Sequence, residues 1–184
     1  MTAPYSSNSI APVSDGAWSH RERAALLQGE ILVQTRSHSA WGGAVTANMY
    51  LPLPRTCVWQ QVTDYPRWVQ YFPDVTKSEV LHRGERTRLY QVARKAFLFF
   101  TAQVEVYLNV FEVVQQQIQF RLEQGTFIDF AADLKLQDCG AGTLLTYVVQ
   151  ATPNIPIPTV FIQQAMHLEL PENMRKMRQI LCAS

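Results

Sequence analysis

Residues 58–81 read VWQQVTDYPRWVQYFPDVTKSEVL, from Val58 to Leu81, and the reading of this stretch decides the fold. Val58, Trp59 and Val62 form a compact apolar stripe at helical spacing, and Pro54 just upstream suits a helix start, so one short helix is expected here. Asp64 can accept hydrogen bonds from the backbone N–H groups that open a second short helix. Pro66 fits the first turn of that helix, and Pro73 prevents its continuation beyond Phe72. From Lys77 to His82 the pattern changes to a strand. Two short helices therefore lie between strands.

Upstream, Val45, Ala47, Met49 and Leu51 alternate with polar or small residues and predict a strand, and Ile31 and Val33 do the same within Glu30 to Arg36. A helix capped by Asp15 or Ser19 is expected through Leu27, ending at Gly29. Residues 1–16, MTAPYSSNSIAPVSDG, have little to bury and are expected to form a flexible tail. Residues 17–43 then form an N-terminal helix and extended segment, and 44–184 the main domain. No internal repeat appears.

Downstream, turn signals separate six alternating runs: 77–82, 86–96, 102–111, 118–123, 127–136 and 144–152. Six consecutive strands without an intervening helix predict an antiparallel meander, hence an α+β protein with a sheet of about seven strands. Val104, Val106, Leu108 and Val110 share one face, as do Ile118, Phe120 and Leu122, and Ile128, Phe130, Ala132, Leu134 and Leu136. These rows are expected to point inward, leaving Asp129, Asp133 and Lys135 outside as solubilising residues. The turn CGAG, Cys139 to Gly142, leads into a last strand whose Leu145, Tyr147 and Val149 can face the same interior. Thr159 to Leu181 then carries Phe161, Ala165, Leu168, Met174, Met177 and Leu181 in one helical stripe that needs a partner surface. Pro171 predicts a kink in this long helix.

Composition narrows the function. The chain has 184 residues, 47% of them hydrophobic and 17% charged, enough for one substantial core without disulfides. A net charge of +1 provides no field to gather nucleic acid. Cys57, Cys139 and Cys182 are odd in number and lack any CxxC pair, which points to neither a disulfide framework nor a zinc site. With no Lys, Arg or apolar run in the first sixteen residues, no secretory signal is expected, and a cytoplasmic location follows. The longest apolar cluster, AFLFF near residue 98, falls far short of the ~20 residues of a membrane-spanning helix, which leaves room for transient membrane contact.

The segment from Val58 to Leu81 resembles the opening signature of the polyketide cyclase/dehydrase and lipid-transport family. The run from Ile157 to Leu181, including LPENMRKMRQI, is similar to the closing helix of that family. The resemblance extends over about residues 44–182. It implies a helix-grip fold, as in START-related lipid carriers and birch-pollen-allergen-like proteins, with the sheet curved around the long C-terminal helix. It also implies an apolar molecule held between sheet and helix, since the family includes coenzyme Q-binding proteins and aromatase/cyclases. On that basis the expected ligand-binding residues are Trp68, Phe72, Tyr90, Arg94, Val106, Leu108, Phe120, Phe130, Leu134, Tyr147, Phe161, Ala165 and Leu168.

Polar groups among them are few. Tyr147 offers a hydroxyl. Arg94 shares a face with Tyr90 and Val92, and the alternation of that strand leaves open which face is inward. Of the four histidines, His167 on the terminal helix is a candidate acid or base, against the plainer reading of a half-exposed helix residue. No HExxH, GxSxG, phosphate loop or His/Cys/Asp cluster is present, so neither a metal nor a cofactor is expected. The leading expectation is a noncatalytic carrier of an apolar small molecule such as a lipid, isoprenoid quinone or polyketide-like compound. The alternatives are an aromatase/cyclase or dehydratase using the same cavity, and an interaction module docking through residues 1–29.

Overall fold

In the computed structural model, residues 18–39, 42–97, 100–154 and 168–183 are described. They form α1 (His20–Leu27), β1 (Leu32–Ser37), β2 (Gly43–Leu51), α2 (Arg55–Val62), a 3₁₀ turn (Tyr65–Arg67) running into α3 (Trp68–Tyr71), and six strands. These are β3 (Val75–His82), β4 (Thr87–Phe97), β5 (Phe100–Val113), β6 (Gln117–Gly125), β7 (Phe127–Cys139) and β8 (Gly142–Pro153). The helix α4 (Leu170–Cys182) follows.

All strands join one antiparallel sheet in the order β1-β2-β8-β7-β6-β5-β4-β3. The meander from β3 to β8 is as the turn signals predict, and β2 closes against β8 with Ala47 opposite Tyr147. The sheet has eight strands rather than about seven because Leu32–Ser37 pairs in full with Asn48–Gly43 of β2. The Cys139–Gly142 hairpin turns through Gly140 at φ 58, a conformation that glycine adopts without a Cβ penalty.

One face of the sheet carries the core. Met49, Leu51, Leu89, Leu108, Val110, Ile118, Phe120, Leu134, Leu136 and Leu145 are all but inaccessible there, packed with Val58 and Val62 of α2 and with Met174, Met177 and Leu181 of α4. The 13 residues of α4 place those three side chains and Pro171 on one stripe. Gln61 Nε2 donates to the Leu181 carbonyl at 3.1 Å and ties α2 to the end of α4. Arg178 Nε donates to the Tyr50 carbonyl at 2.9 Å, fastening α4 to the β2 edge.

Local expectations fare differently from one another, and of the two caps expected for α1 it is Ser19 that serves. Ser19 caps α1 through a full capping box with Glu22. Asp64 precedes the 3₁₀ turn without any side-chain capping bond, so Pro66 and the packing of Tyr65 hold that turn. Pro171 lies in the first turn of α4, preceded by a wide π-type turn at Leu168–Glu169, and the expected kink is left untested because the helix expected before it falls outside the described residues. Thr159–His167, the first part of the expected long helix, lies outside the described residues.

Ile128 does not join the inner row. The β7–β8 register shifts between Phe127 and Asp129, a bulge that leaves Ile128 65% exposed and sets Phe127 against the core in its place. Asp133 is on the outer face as expected, yet only 3% exposed. Its carboxylate receives Arg121 Nη1 at 2.6 Å, and the same nitrogen donates to the carbonyls of Phe120 and Ala132. It is therefore a structural anchor rather than a solubilising residue. Asp129, too, is engaged, bonded to His38 of the β1–β2 connection.

Candidate ligand-binding site

Trp68 is the centre of the inner-face aromatic cluster. Its indole N–H donates to the Val62 carbonyl at 2.9 Å, so the end of α2 fixes the ring on α3. Phe72 stacks on it with centroids 5.6 Å apart, Phe120 meets it edge-on at 5.1 Å, and Tyr147 at 6.2 Å. Tyr147 also lies 6.1 Å from Phe72. The short segment containing both prolines, 66 and 73, thus sets two rings against residues from β6 and β8.

Tyr147 is the polar group in this setting. It is 8% exposed, and no described residue hydrogen-bonds its hydroxyl. Burial pushes the phenol well above the ordinary tyrosine value, so it stays protonated and acts as a donor. Tyr65 and Tyr71 differ in this respect. Tyr65 donates to Glu112 at 2.6 Å and Tyr71 to the Gln61 carbonyl at 3.2 Å, so both hydroxyls already have partners.

Among the described residues, the inner face is more completely buried at one end than at the other. Around Leu51, Leu89, Val110, Ile118 and Leu136 it is sealed. Toward the other end Val104, Leu122, Phe127, Phe130 and Val149 pack against the same core while keeping part of their surface accessible. There the β6–β7 ladder stops at Arg121–Ala131. Leu122–Gly125 and Phe127–Phe130 pair with β5 and β8 but not with one another. The rings of Phe127 and Phe130, 5.5 Å apart, line this fork.

Of the sequence-predicted ligand residues, the structure brings Trp68, Phe72, Val106, Leu108, Phe120, Phe130, Leu134 and Tyr147 together on the inner face. Tyr90 and Arg94 lie on the other side. The β4–β5 register pairs Leu89 with Leu108 and Gln91 with Val106 inward, which turns Tyr90 toward Tyr107 and Arg94 toward Gln103 on the outer face. Tyr90 there donates to Glu105 and lies beneath the Lys77 ammonium. Leu168 is 65% exposed, and Phe161, Ala165 and His167 fall outside the described residues. Phe127, absent from the sequence reading, joins the wall because the bulge at Ile128 shifts the alternation, a signal that period-two patterning does not carry.

Two hollows lie away from this wall. One of about 190 Å³ on the outer face lies between α1 and the sheet, bordered by Trp18, Arg23, Leu26, Tyr50 and Leu144. The other, about 530 Å³, is walled by Pro73, Asp74, Glu169, Glu172, Asn173 and Lys176. Among the described residues no three His, Cys, Asp or Glu side chains gather as a metal site, and no helix is long and apolar enough to cross a membrane.

A curved antiparallel sheet that holds a C-terminal helix against its inner face, with two short helices inserted after the first core strand, is the helix-grip arrangement. Residues 51–178 match the family described as polyketide cyclase / dehydrase and lipid transport, and the chain belongs to that family. Among solved structures it is similar to a STAR-related lipid transfer protein from Xanthomonas axonopodis (18% identity, TM-score 0.63, covering 82% of this chain and 93% of that one). It is also similar to a START superfamily protein from Mycobacterium smegmatis (16%, 0.56, 83% and 97%). An aromatase/cyclase from Streptomyces sp. R1128 matches at 12% identity and a TM-score of 0.58, over 82% of this chain and 93% of that one. At these identities the likeness concerns the fold. No curated protein matches the chain.

Proposed function

We propose that this protein binds and carries an apolar small molecule, of the lipid or isoprenoid-quinone class, along the wall formed by Trp68, Phe72, Phe120, Phe130 and Tyr147. The observation that carries this reading is the Tyr147 hydroxyl, set among aromatic rings with no hydrogen-bond partner among the described residues. Buried hydroxyls are normally satisfied, and one to which no described residue offers a partner, on an apolar wall, suits a ligand carbonyl or ether oxygen. Apolar burial would supply most of the affinity, at about 25 cal/mol per Å² removed from water. The phenol would fix which end of the ligand faces it. Such a molecule would enter at the end where Val104, Leu122 and Phe127 keep part of their surface accessible.

Native mass spectrometry of freshly purified protein, followed by organic extraction, tests the reading. A single defined apolar molecule leaving in stoichiometric amount is the expected result. Protein that is ligand-free and whose melting temperature responds to no member of a lipid and quinone panel would overturn it. Conversion of a polyketide-like chain, abolished in Tyr147→Phe, would assign the protein to the enzymatic side of its family instead.

A further inference from the structure

The sheet ends on β1 at one side and β3 at the other, and the two edges are built differently. The β3 edge is blunted. Its register with β4 shifts twice, between Val75 and Lys77 and between Val80 and His82, and Lys77 stands on it paired with Glu79. The 3₁₀ turn lies against it, with the Ser78 hydroxyl donating to the Tyr65 carbonyl at 2.7 Å. Bulges, lysines and covering segments are the ordinary means by which a sheet edge is kept from pairing with another chain.

The β1 edge has none of these devices. Leu32–Ser37 runs in unbroken register with Asn48–Gly43 and holds no lysine or proline, and among the described residues no strand flanks its other side. The preceding helix does not cover that side, because α1 borders its hollow with Tyr50 of β2 and Leu144 of β8, over the interior of the sheet. Ile31 and Val33 pack on the core and hold the strand in place. Glu30 and Arg36, at the two ends of this stretch, are exposed and form no ion pair with a described residue.

We propose that β1 pairs edge to edge with the β1 of a second copy of this chain, antiparallel and about a two-fold axis through Val33. The stretch Glu30 to Arg36, EILVQTR, is self-complementary in this register. Val33 stands opposite its own copy, Leu32 opposite Gln34, Ile31 opposite Thr35, and Glu30 opposite Arg36 at both ends. The register also keeps the pleat in phase. Ile31, Val33 and Thr35 belong to the inner face and Glu30, Leu32, Gln34 and Arg36 to the outer one, so each residue meets one from its own face. Moving the axis to Gln34 would set Arg36 opposite Leu32 and lose the Glu30–Arg36 pair. Charge complementarity selects a second copy over an unrelated extended peptide, since self-pairing gives Glu30 a cation and Arg36 an anion at once. Such an axis stands perpendicular to the sheet, so the sheet would run through both copies with their helix-bearing faces on the same side. This inference goes beyond ligand carriage and does not rest on it.

Sedimentation velocity of the full chain over a range of concentrations tests the pairing, and a concentration-dependent dimer is the expected result. E30R and R36E each set like charges opposite one another at both ends of the joint and should weaken the dimer about tenfold or more. The double variant E30R/R36E restores opposite charges and should return the affinity to within about threefold of wild type. That restoration separates charge pairing from any structural effect of either single change. Hydrogen exchange of the wild-type chain should slow within 32–36 as the dimer forms and stay unchanged within 75–82. A chain that is monomeric at every concentration, a dimer indifferent to both single reversals, or a double variant as weak as the singles would overturn the proposal. So would slow exchange over 32–36 in a monomer that is lost on deletion of residues 1–17, since the edge would then belong to that segment of the same chain.

Discussion

Tyr147 and Tyr65 show how one residue type takes two roles according to its partner. The Tyr147 hydroxyl has no hydrogen-bond partner among the described residues, so Tyr147→Phe removes no hydrogen bond to them and should leave the melting temperature unchanged or slightly raised. Affinity for the extracted ligand should fall about tenfold, the effect of one hydrogen bond of roughly 1–1.5 kcal/mol, as measured by titration calorimetry. Tyr65 donates to Glu112, and both burial and that bond raise its proton affinity above the ordinary value of 10.0. A phenol raised in the folded state contributes stability that is fully present below the unfolded value and is lost as pH climbs above it. Stability should therefore decline as pH rises past about 10. In Tyr65→Phe that alkaline decline should be shallower, while stability at neutral pH drops by about 1–2 kcal/mol from the lost bond to a carboxylate. Urea melts at a series of pH values would show both effects, and an unchanged alkaline slope would contradict the assignment.

At the scale of elements, the β6–β7 hairpin is the informative one. Its ladder ends at Arg121–Ala131, where the Arg121–Asp133 pair sits, and its connection passes Gly125 at φ 151. A Cβ on Gly125 would stand 2.2 Å from the Glu105 carbonyl oxygen and 2.9 Å from Val106 Cα, both backbone atoms that cannot move aside cheaply. Gly125→Ala should consequently cost about 2 kcal/mol or more, combining backbone strain with displacement of β5. The urea midpoint should fall, with the largest gain in amide exchange at Thr126 and Glu105. A midpoint equal to the wild type would show that the turn accommodates a side chain. The two helical segments after β2 were legible in sequence because Pro54, Pro66 and Pro73 punctuate them. The bulge at Ile128 was not, since an extra residue in a strand leaves the composition of the run unchanged and shifts only its phase.

For the whole molecule, one end of the inner face is fully buried, and the proposed site lies toward the end whose described side chains stay partly accessible. Around Met49, Leu51, Ile118 and Leu145 the sheet packs on α2 and α4, whereas Val104, Phe127 and Phe130 pack against the same core but are only partly buried. A ligand that binds the folded form alone must raise global stability, by about 2.7 kcal/mol at a hundredfold excess over its dissociation constant. Adding the extracted molecule to stripped protein should therefore raise the melting temperature by several degrees. The same addition to a Trp68→Ala protein, if it folds, should give a much smaller increase, because the ring that positions Phe72, Phe120 and Tyr147 is gone. An equal increase in both would move the binding site away from this wall.

The sequence alone determined the order of elements, the antiparallel meander, the family, and the inner position of Trp68, Phe120, Leu134 and Tyr147. Proline positions and strand alternation are local properties, written within a few residues of where they act. Which face of β4 turns inward was beyond it. Tyr90 and Arg94 alternate just as regularly as Leu89 and Gln91, and only the cross-strand register with β5 sends the first pair outward. The burial of Asp133 likewise depends on Arg121, twelve residues away, and that no described residue bonds the Tyr147 hydroxyl depends on what the neighbouring strands fail to offer it. The pattern of one strand fixes a two-sided ribbon, and the tertiary structure chooses the side that meets the core, because that choice is a property of contacts between strands rather than of any one of them.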